Sequence, residues 1–134
     1  MSENHKPTRM QQKLLFVDDS EMMRAFLSNY FGQYYDVHTE ETAEKAWNWL
    51  DMGNFPSLIL LDLKMPGMSG YELLNHLKFS VLFHDIPIII LSSIDNSKER
   101  IKCLESGAAD YIIKPFNPQE LAIRIKYHLG FSKV

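Results

Sequence analysis

Five residues of this chain have types and positions that could do chemistry together: Asp18, Asp19, Asp62, Ser92 and Lys114. Each set closes an apolar run. Asp18-Asp19 follows Lys13-Leu14-Leu15-Phe16-Val17, and Asp62 follows Leu58-Ile59-Leu60-Leu61. Ser92 follows Ile86-Pro87-Ile88-Ile89-Ile90-Leu91, and Lys114 follows Tyr111-Ile112-Ile113. Three carboxylates brought together repel, and all three ionise only when a cation joins them. Their donors are oxygens, which suits Mg²⁺ held with several waters. A lysine and a hydroxyl beside such an ion make a clamp for a phosphoryl group, with Lys114 as a point charge and Ser92 as a hydrogen-bond donor. One carboxylate is then free to attack phosphorus. Asp62 suits that task, standing alone at its run's end, while the Asp18-Asp19 pair suits metal binding. Taken singly, each has an ordinary role: a helix cap, a loop serine, a solvated lysine. Their recurrence at the ends of four apolar runs is what points to a site.

The surrounding elements must bring those ends together. Continuous apolar runs without alternation read as strands covered on both faces, as in a parallel sheet. A more polar run, Tyr34 to His38, suits an edge strand. After a cap at Ser20 or Asp19, Met23, Phe26, Leu27, Tyr30 and Phe31 keep a three/four spacing up to a stop at Gly32. Thr39 to Met52 reads as a second helix with Ala43, Ala46, Trp47 and Leu50 inward. Gly70 to Phe79 follows a cap at Ser69. A fourth helix runs from a cap at Asn96 or Ser97 to Glu105, with Ile101 and Leu104 inward and Gly107 as its stop. Asn117-Pro118-Gln119-Glu120 is a cap, a first-position proline and a third-position glutamate, opening a helix with Leu121, Ile125 and Leu129 on one stripe. Five strands alternating with five helices predict an α/β domain with a single doubly wound five-stranded parallel sheet. All strand C-terminal tips then share one edge, where ligands of such sheets bind.

Bulk composition narrows the class. The chain has 134 residues, one domain's worth, with 46% hydrophobic and 23% charged residues. A net charge of -3 gives no sign of a nucleic-acid or anionic-membrane surface. One cysteine, Cys103, excludes an internal disulfide and suits a reducing cytoplasm; packing or surface is its expected role. No apolar run approaches a membrane span. The expected boundaries are a flexible N-terminal tail at 1–12, the folded domain at 13–130 and a C-terminal tail at 131–134. Trp47 is expected in the core and Trp49 half-exposed beside it.

The motifs in combination resemble the response-regulator receiver domain of two-component signalling, a flavodoxin-like fold shared with the single-domain chemotaxis regulators. They are the apolar run before Asp18-Asp19, Asp62-x-x-Met65-Pro66-Gly67-x-x-Gly70, the run before Ser92-Ser93, and Gly107-Ala108-x-Asp110-Tyr111-x-x-Lys114-Pro115. The likeness spans about Lys13 to Leu129. It implies strand order 2-1-3-4-5 and a cis Lys114-Pro115 bond. It implies that Asp62 accepts a phosphoryl group from a phosphohistidine donor, a sensor histidine kinase or a histidine phosphotransferase. It also implies Mg²⁺ ligands at Asp19, Asp62 and the Lys64 main-chain carbonyl, with Asp18 bound largely through water. Ser92 takes the place of the switch hydroxyl, and Tyr111 that of the switch aromatic that turns inward.

On this reading the domain is a signalling switch, not an enzyme, although it catalyses its own phosphorylation and dephosphorylation. The face of the fourth helix, fifth strand and fifth helix carries Lys98, Lys102, Glu105, Asp110, Arg124, Lys126 and Tyr127. Most of these charges are expected to be ordinary solvated ones; the functional reading is a partner face or a phosphorylation-dependent dimer. Lys64 and Ile94 flank the acceptor and the switch serine, where a long cation and a bulky apolar group would slow spontaneous dephosphorylation. The chain ends soon after the fifth helix, so output comes either from a stand-alone regulator binding a downstream protein or from a longer protein's output domain. Three other readings compete. A haloacid-dehalogenase-like phosphatase needs a second acid where Lys64 stands. A flavin carrier would find its phosphate repelled by Asp18-Asp19. A phosphorylation-independent pseudo-receiver, acting as an interaction module, would not need the intact acid set.

Overall fold

A computed structural model describes residues 11–130; the expected C-terminal tail and all but the last two residues of the N-terminal one lie outside them. Five strands alternate with five helices: β1 Lys13–Val17, α1 Glu21–Phe31, β2 Asp36–Glu40, α2 Ala43–Asp51, β3 Leu58–Leu61, α3 Gly70–Lys78, β4 Ile88–Ser92, α4 Ser97–Glu105, β5 Asp110–Ile113 and α5 Pro118–His128. All pairings are parallel and the strand order is β2-β1-β3-β4-β5, as the resemblance implies.

The sheet divides the core in two. Leu15, Val17, Ile59, Leu61, Ile88 and Ile90 pack under α2, α3 and α4 with Ala46, Leu50, Leu73, Leu77 and Cys103. Leu14, Phe16, Leu58, Leu60, Ile89 and Leu91 pack under α1 and α5 with Leu27, Phe31, Leu121 and Ile125. Strand side chains alternate between faces, but both faces are covered, so the strands read as unbroken apolar runs.

The caps fall where side-chain acceptors allow. Ser20, Thr42, Ser69, Asn96 and Asn117 each accept a main-chain N–H of the helix they precede. At α3 the Glu72 carboxylate also returns to the Ser69 N–H, completing a capping box.

Several boundaries differ from the sequence-based expectation. β2 begins at Asp36, because the Tyr34 and Tyr35 N–H groups both donate to the Phe31 carbonyl and finish the turn leaving α1. Thr39 and Glu40 belong to β2, paired with Phe16 and Val17, so α2 starts only after Thr42. β4 begins at Ile88, not Ile86, and β5 takes in Asp110. Ile101 and Leu104 do not face inward; they are 52% and 42% exposed, and Cys103 is the fully buried residue of α4. Phe26 lies outward at 40% exposure, stacked on Tyr30. Trp47 is half-buried, edge-on to Phe83, rather than a core residue, and Trp49 stacks on His38 at the sheet edge.

Candidate functional site

Parallel pairing carries the four run ends to one edge. The Asp18 N–H continues the ladder to the Glu40 carbonyl, and the Asp62 N–H bonds to the Val17 carbonyl at 2.9 Å. On the far side the Lys114 N–H bonds to the Ser92 carbonyl at 2.8 Å. Main-chain hydrogen bonds therefore fix all four tips before any side chain meets another.

The side chains then converge. One carboxylate oxygen each from Asp18, Asp19 and Asp62 lies within 4.8 Å of the others, the one such acidic or metal-ligating group among the described residues. Asp18 and Asp62 are buried and Asp19 is exposed. Lys114 Nζ lies 2.9 Å from Asp18 Oδ2 and 3.8 Å from Asp62 Oδ2. The other Asp18 oxygen accepts the Ser20 N–H, tying the acid to the start of α1. Burial pushes the Asp62 carboxyl up to about 6. The Lys114 charge and the Lys64 N–H oppose that rise, and the Asp18 and Asp19 charges add to it. One cation thus stands against three acids, the imbalance that a divalent ion with oxygen preference would relieve. A shallow open depression lined by Asp19, Leu63, Lys64, Met65, Pro66 and Ser69 gives solvent access beside the acids.

The loop after β3 approaches too closely for most residues. At Gly70 an added Cβ would lie 2.0 Å from the Asp62 carbonyl oxygen, so the start of α3 rests against the main chain of Asp62 itself. The Gly70 N–H donates to the Leu63 carbonyl at 3.0 Å and closes the loop.

Ser92 and Tyr111 meet through a third residue. Ser92, 1% exposed, accepts the Ile94 N–H on its hydroxyl at 3.0 Å. Tyr111 is turned inward, 7% exposed, and its hydroxyl donates to the Ile94 carbonyl at 2.8 Å. The Lys114–Pro115 peptide bond is cis. Lys64 lies exposed on the loop rim.

Three participants were not singled out from sequence. Arg24 donates to the Asp18 carbonyl at 2.8 Å and reaches Glu41 at 3.7 Å. Its place in the first turns after an acid pair is the one signal that could have marked it. Glu44 reaches across from α2 to the loop after β3, which no local pattern announces. His128 joins Arg124 on Asp110, at 3.0 Å.

A doubly wound parallel sheet with three acids, a buried serine and a lysine at its carboxyl edge defines a receiver-type signalling domain. The model of the response regulator receiver domain family matches residues 14–126, and the chain belongs to that family. It is 36% identical over 120 residues to chemotaxis protein CheY1 of Helicobacter pylori, covering 88% of this chain and 97% of that protein. To the phosphate regulon transcriptional regulatory protein PhoB of Escherichia coli it is 38% identical over 119 residues, covering 87% of this chain but 51% of that protein. The chain thus spans nearly all of one relative and about half the length of the other. The receiver domain of the Francisella response regulator 1452 superposes with a TM-score of 0.82 at 30% identity, covering 90% of this chain and 98% of that one. Among the described residues no helix is long and apolar enough to cross a membrane.

Proposed function

We propose that this domain is the phosphoacceptor of a two-component phosphorelay and that Asp62 is the acceptor. The observation that carries the reading is the convergence of Asp18, Asp19 and Asp62 within 4.8 Å, with Lys114 against two of them. An oxygen of Asp62 attacks phosphorus of a phosphohistidine on a kinase or phosphotransferase. The P–N bond breaks, and its electron pair leaves with the imidazole. Lys114 holds the phosphoryl oxygens by charge, and the Ser92 hydroxyl, released from the Ile94 N–H, donates to another. Mg²⁺ fits the all-oxygen donor set of Asp18, Asp19, Asp62 and the Lys64 carbonyl; when bound it neutralises phosphoryl charge and orients the group.

Phosphorylation adds charge and acceptor oxygens beside a fixed lysine. Withdrawing Ser92 toward them breaks its bond to Ile94, the residue that also holds the Tyr111 hydroxyl. The consequence reaches α4, β5 and α5, the surface through which a downstream protein, an output domain or a second copy would read the state. The cytoplasm is the compartment where such donors act.

Intact mass after incubation with a small-molecule acyl phosphate, with and without Mg²⁺, tests the reading. A Mg²⁺-dependent gain of one phosphoryl group in wild type, absent in Asp62→Asn, is the expected result. No gain in folded wild type would leave a phosphorylation-independent interaction module in its place.

A further inference from the structure

The loop between Asp62 and α3 is held at its ends by groups already described, the Gly70–Leu63 hydrogen bond and the Ser69 capping box. Its middle is held by a different element. The Glu44 carboxylate, in the first turn of α2, accepts the Met68 N–H at 2.7 Å across 24 residues of sequence. The same oxygen occupies the open side of Gly67: a Cβ there would lie 2.7 Å from Glu44 Oε2, with both carboxylate oxygens and the carboxyl carbon within 3.3 Å. Gly67 has φ +76°, a left-handed conformation that suits glycine. The turn thus presents bare backbone to the carboxylate. The Met68 N–H holds the Glu44 carboxyl below its ordinary range, as expected for an acceptor that binds best when charged.

The neighbouring end of α2 braces the other acid-bearing loop. Glu41, just before the Thr42 cap, lies 3.7 Å from Arg24, whose guanidinium donates to the Asp18 carbonyl. Lys45 closes on Glu41 at 2.7 Å. One short segment, Glu41 to Lys45, therefore touches the loop after β1 through Arg24 and the loop after β3 directly.

We propose that Glu44 is a positioning residue for the phosphoryl-transfer site: it fixes the loop from Lys64 to Ser69, and so limits the orientations open to the main-chain carbonyl of Lys64, the proposed metal ligand. The inference rests on the phosphoacceptor reading and adds a residue to it. Glu44 is not one of the three carboxylates that could hold the metal. Its effect is geometric, because a loop pinned at both ends and the middle presents one carbonyl orientation, whereas one pinned at its ends samples several and loses affinity for a geometrically demanding ion.

Calorimetric Mg²⁺ titration of wild type, Glu44→Ala and Glu44→Gln, with amide hydrogen exchange over residues 64–69, tests this. Glu44→Ala is expected to weaken Mg²⁺ binding about tenfold and to speed exchange in the loop. Its melting temperature without metal should stay near wild type. Glu44→Gln keeps an acceptor for the Met68 N–H and should restore most of the affinity, which a general loss of stability would not allow. Gly67→Ala strains the left-handed turn in either background, but it should weaken Mg²⁺ binding less in Glu44→Ala, where only that strain remains and no carboxylate is displaced. Unchanged affinity and unchanged exchange in Glu44→Ala would overturn the assignment while leaving Asp62 phosphorylation intact. Absence of Mg²⁺ binding in wild type would overturn the metal reading and this assignment with it.

Discussion

Lys114 is nearer to Asp18 than to Asp62, at 2.9 Å against 3.8 Å, although both carboxylates are almost wholly buried. The ammonium therefore stabilises the metal-free cluster, apart from the phosphoryl-binding role proposed for it. Removing it leaves two buried acids without their cation. Lys114→Met is expected to cost about 2 kcal/mol in Mg²⁺-free buffer at neutral pH, below the range for a fully buried pair because the lysine is partly exposed. Asp18→Asn should recover much of that loss in the double variant. Thermal denaturation of the four proteins checks it; additive effects would mean that the two residues do not interact.

Asp62→Asn removes a charge that burial and two neighbouring acids disfavour. In Mg²⁺-free buffer the variant should melt higher than wild type. Added Mg²⁺ should raise the wild-type midpoint and move the variant's much less, since ligand binding to the native state stabilises it by mass action. Equal Mg²⁺ shifts in both would place the ion elsewhere.

Gly70→Ala would set a Cβ against the Asp62 carbonyl oxygen, a main-chain atom that cannot swing aside. The expected cost is about 1–3 kcal/mol, and on the proposed function phosphorylation should be slower because the backbone of Asp62 shifts. Denaturant unfolding and a single-turnover phosphorylation rate report the two effects. An unaltered rate at reduced stability would show that the strain is absorbed in α3.

Ile94 is half-buried, with its N–H on Ser92 and its carbonyl on Tyr111. Its side chain packs against the core cluster under α2, α3 and α4, and the proposal gives it the further role of screening water from a phosphorylated Asp62. Ile94→Glu should release phosphate faster than wild type once phosphorylated, by severalfold. Slower release in the variant would count against the screening role.

Asp110 links β5 to α5 under two opposing influences. Burial alone would push its carboxyl up, but hydrogen bonds from Arg124 and His128 and from the Tyr111 N–H outweigh it and hold the group below its ordinary 3.8. A depressed carboxylate contributes stability that is present above the unfolded value and is lost as pH falls through the folded one. The stability difference between wild type and Asp110→Asn should therefore be largest at neutral pH and shrink below about pH 4. Denaturant titrations at neutral and acid pH measure it.

Much of this was legible from local signals. Unbroken apolar runs ending in Asp18, Asp62, Ser92 and Lys114 announce buried parallel strands with polar tips, and parallel pairing alone brings such tips together. Side-chain caps mark helix starts because they are chemical requirements of the chain itself. The misplaced start of β2 had a different origin: Tyr34 and Tyr35 are good strand formers, yet the hydrogen bonds leaving α1 claimed their N–H groups. Ile101 and Leu104 misled in the same way, since which side of α4 meets the sheet depends on tertiary placement, not on hydrophobicity. Glu44 was invisible because its partner lies 24 residues away and is a main-chain N–H, which no side-chain pattern records.

The sheet that separates the two halves of the core also separates what can change independently. Leu27, Phe31, Leu121 and Ile125 lie on one side, and Leu73, Leu77, Cys103 and Tyr111 on the other, with five strands between them. Substitutions on opposite sides share no cavity and few neighbours, so their energetic effects should add. The packing under α1 and α5 can then change while that under α2, α3 and α4 is kept, so one side of the scaffold can be repacked without refolding the other.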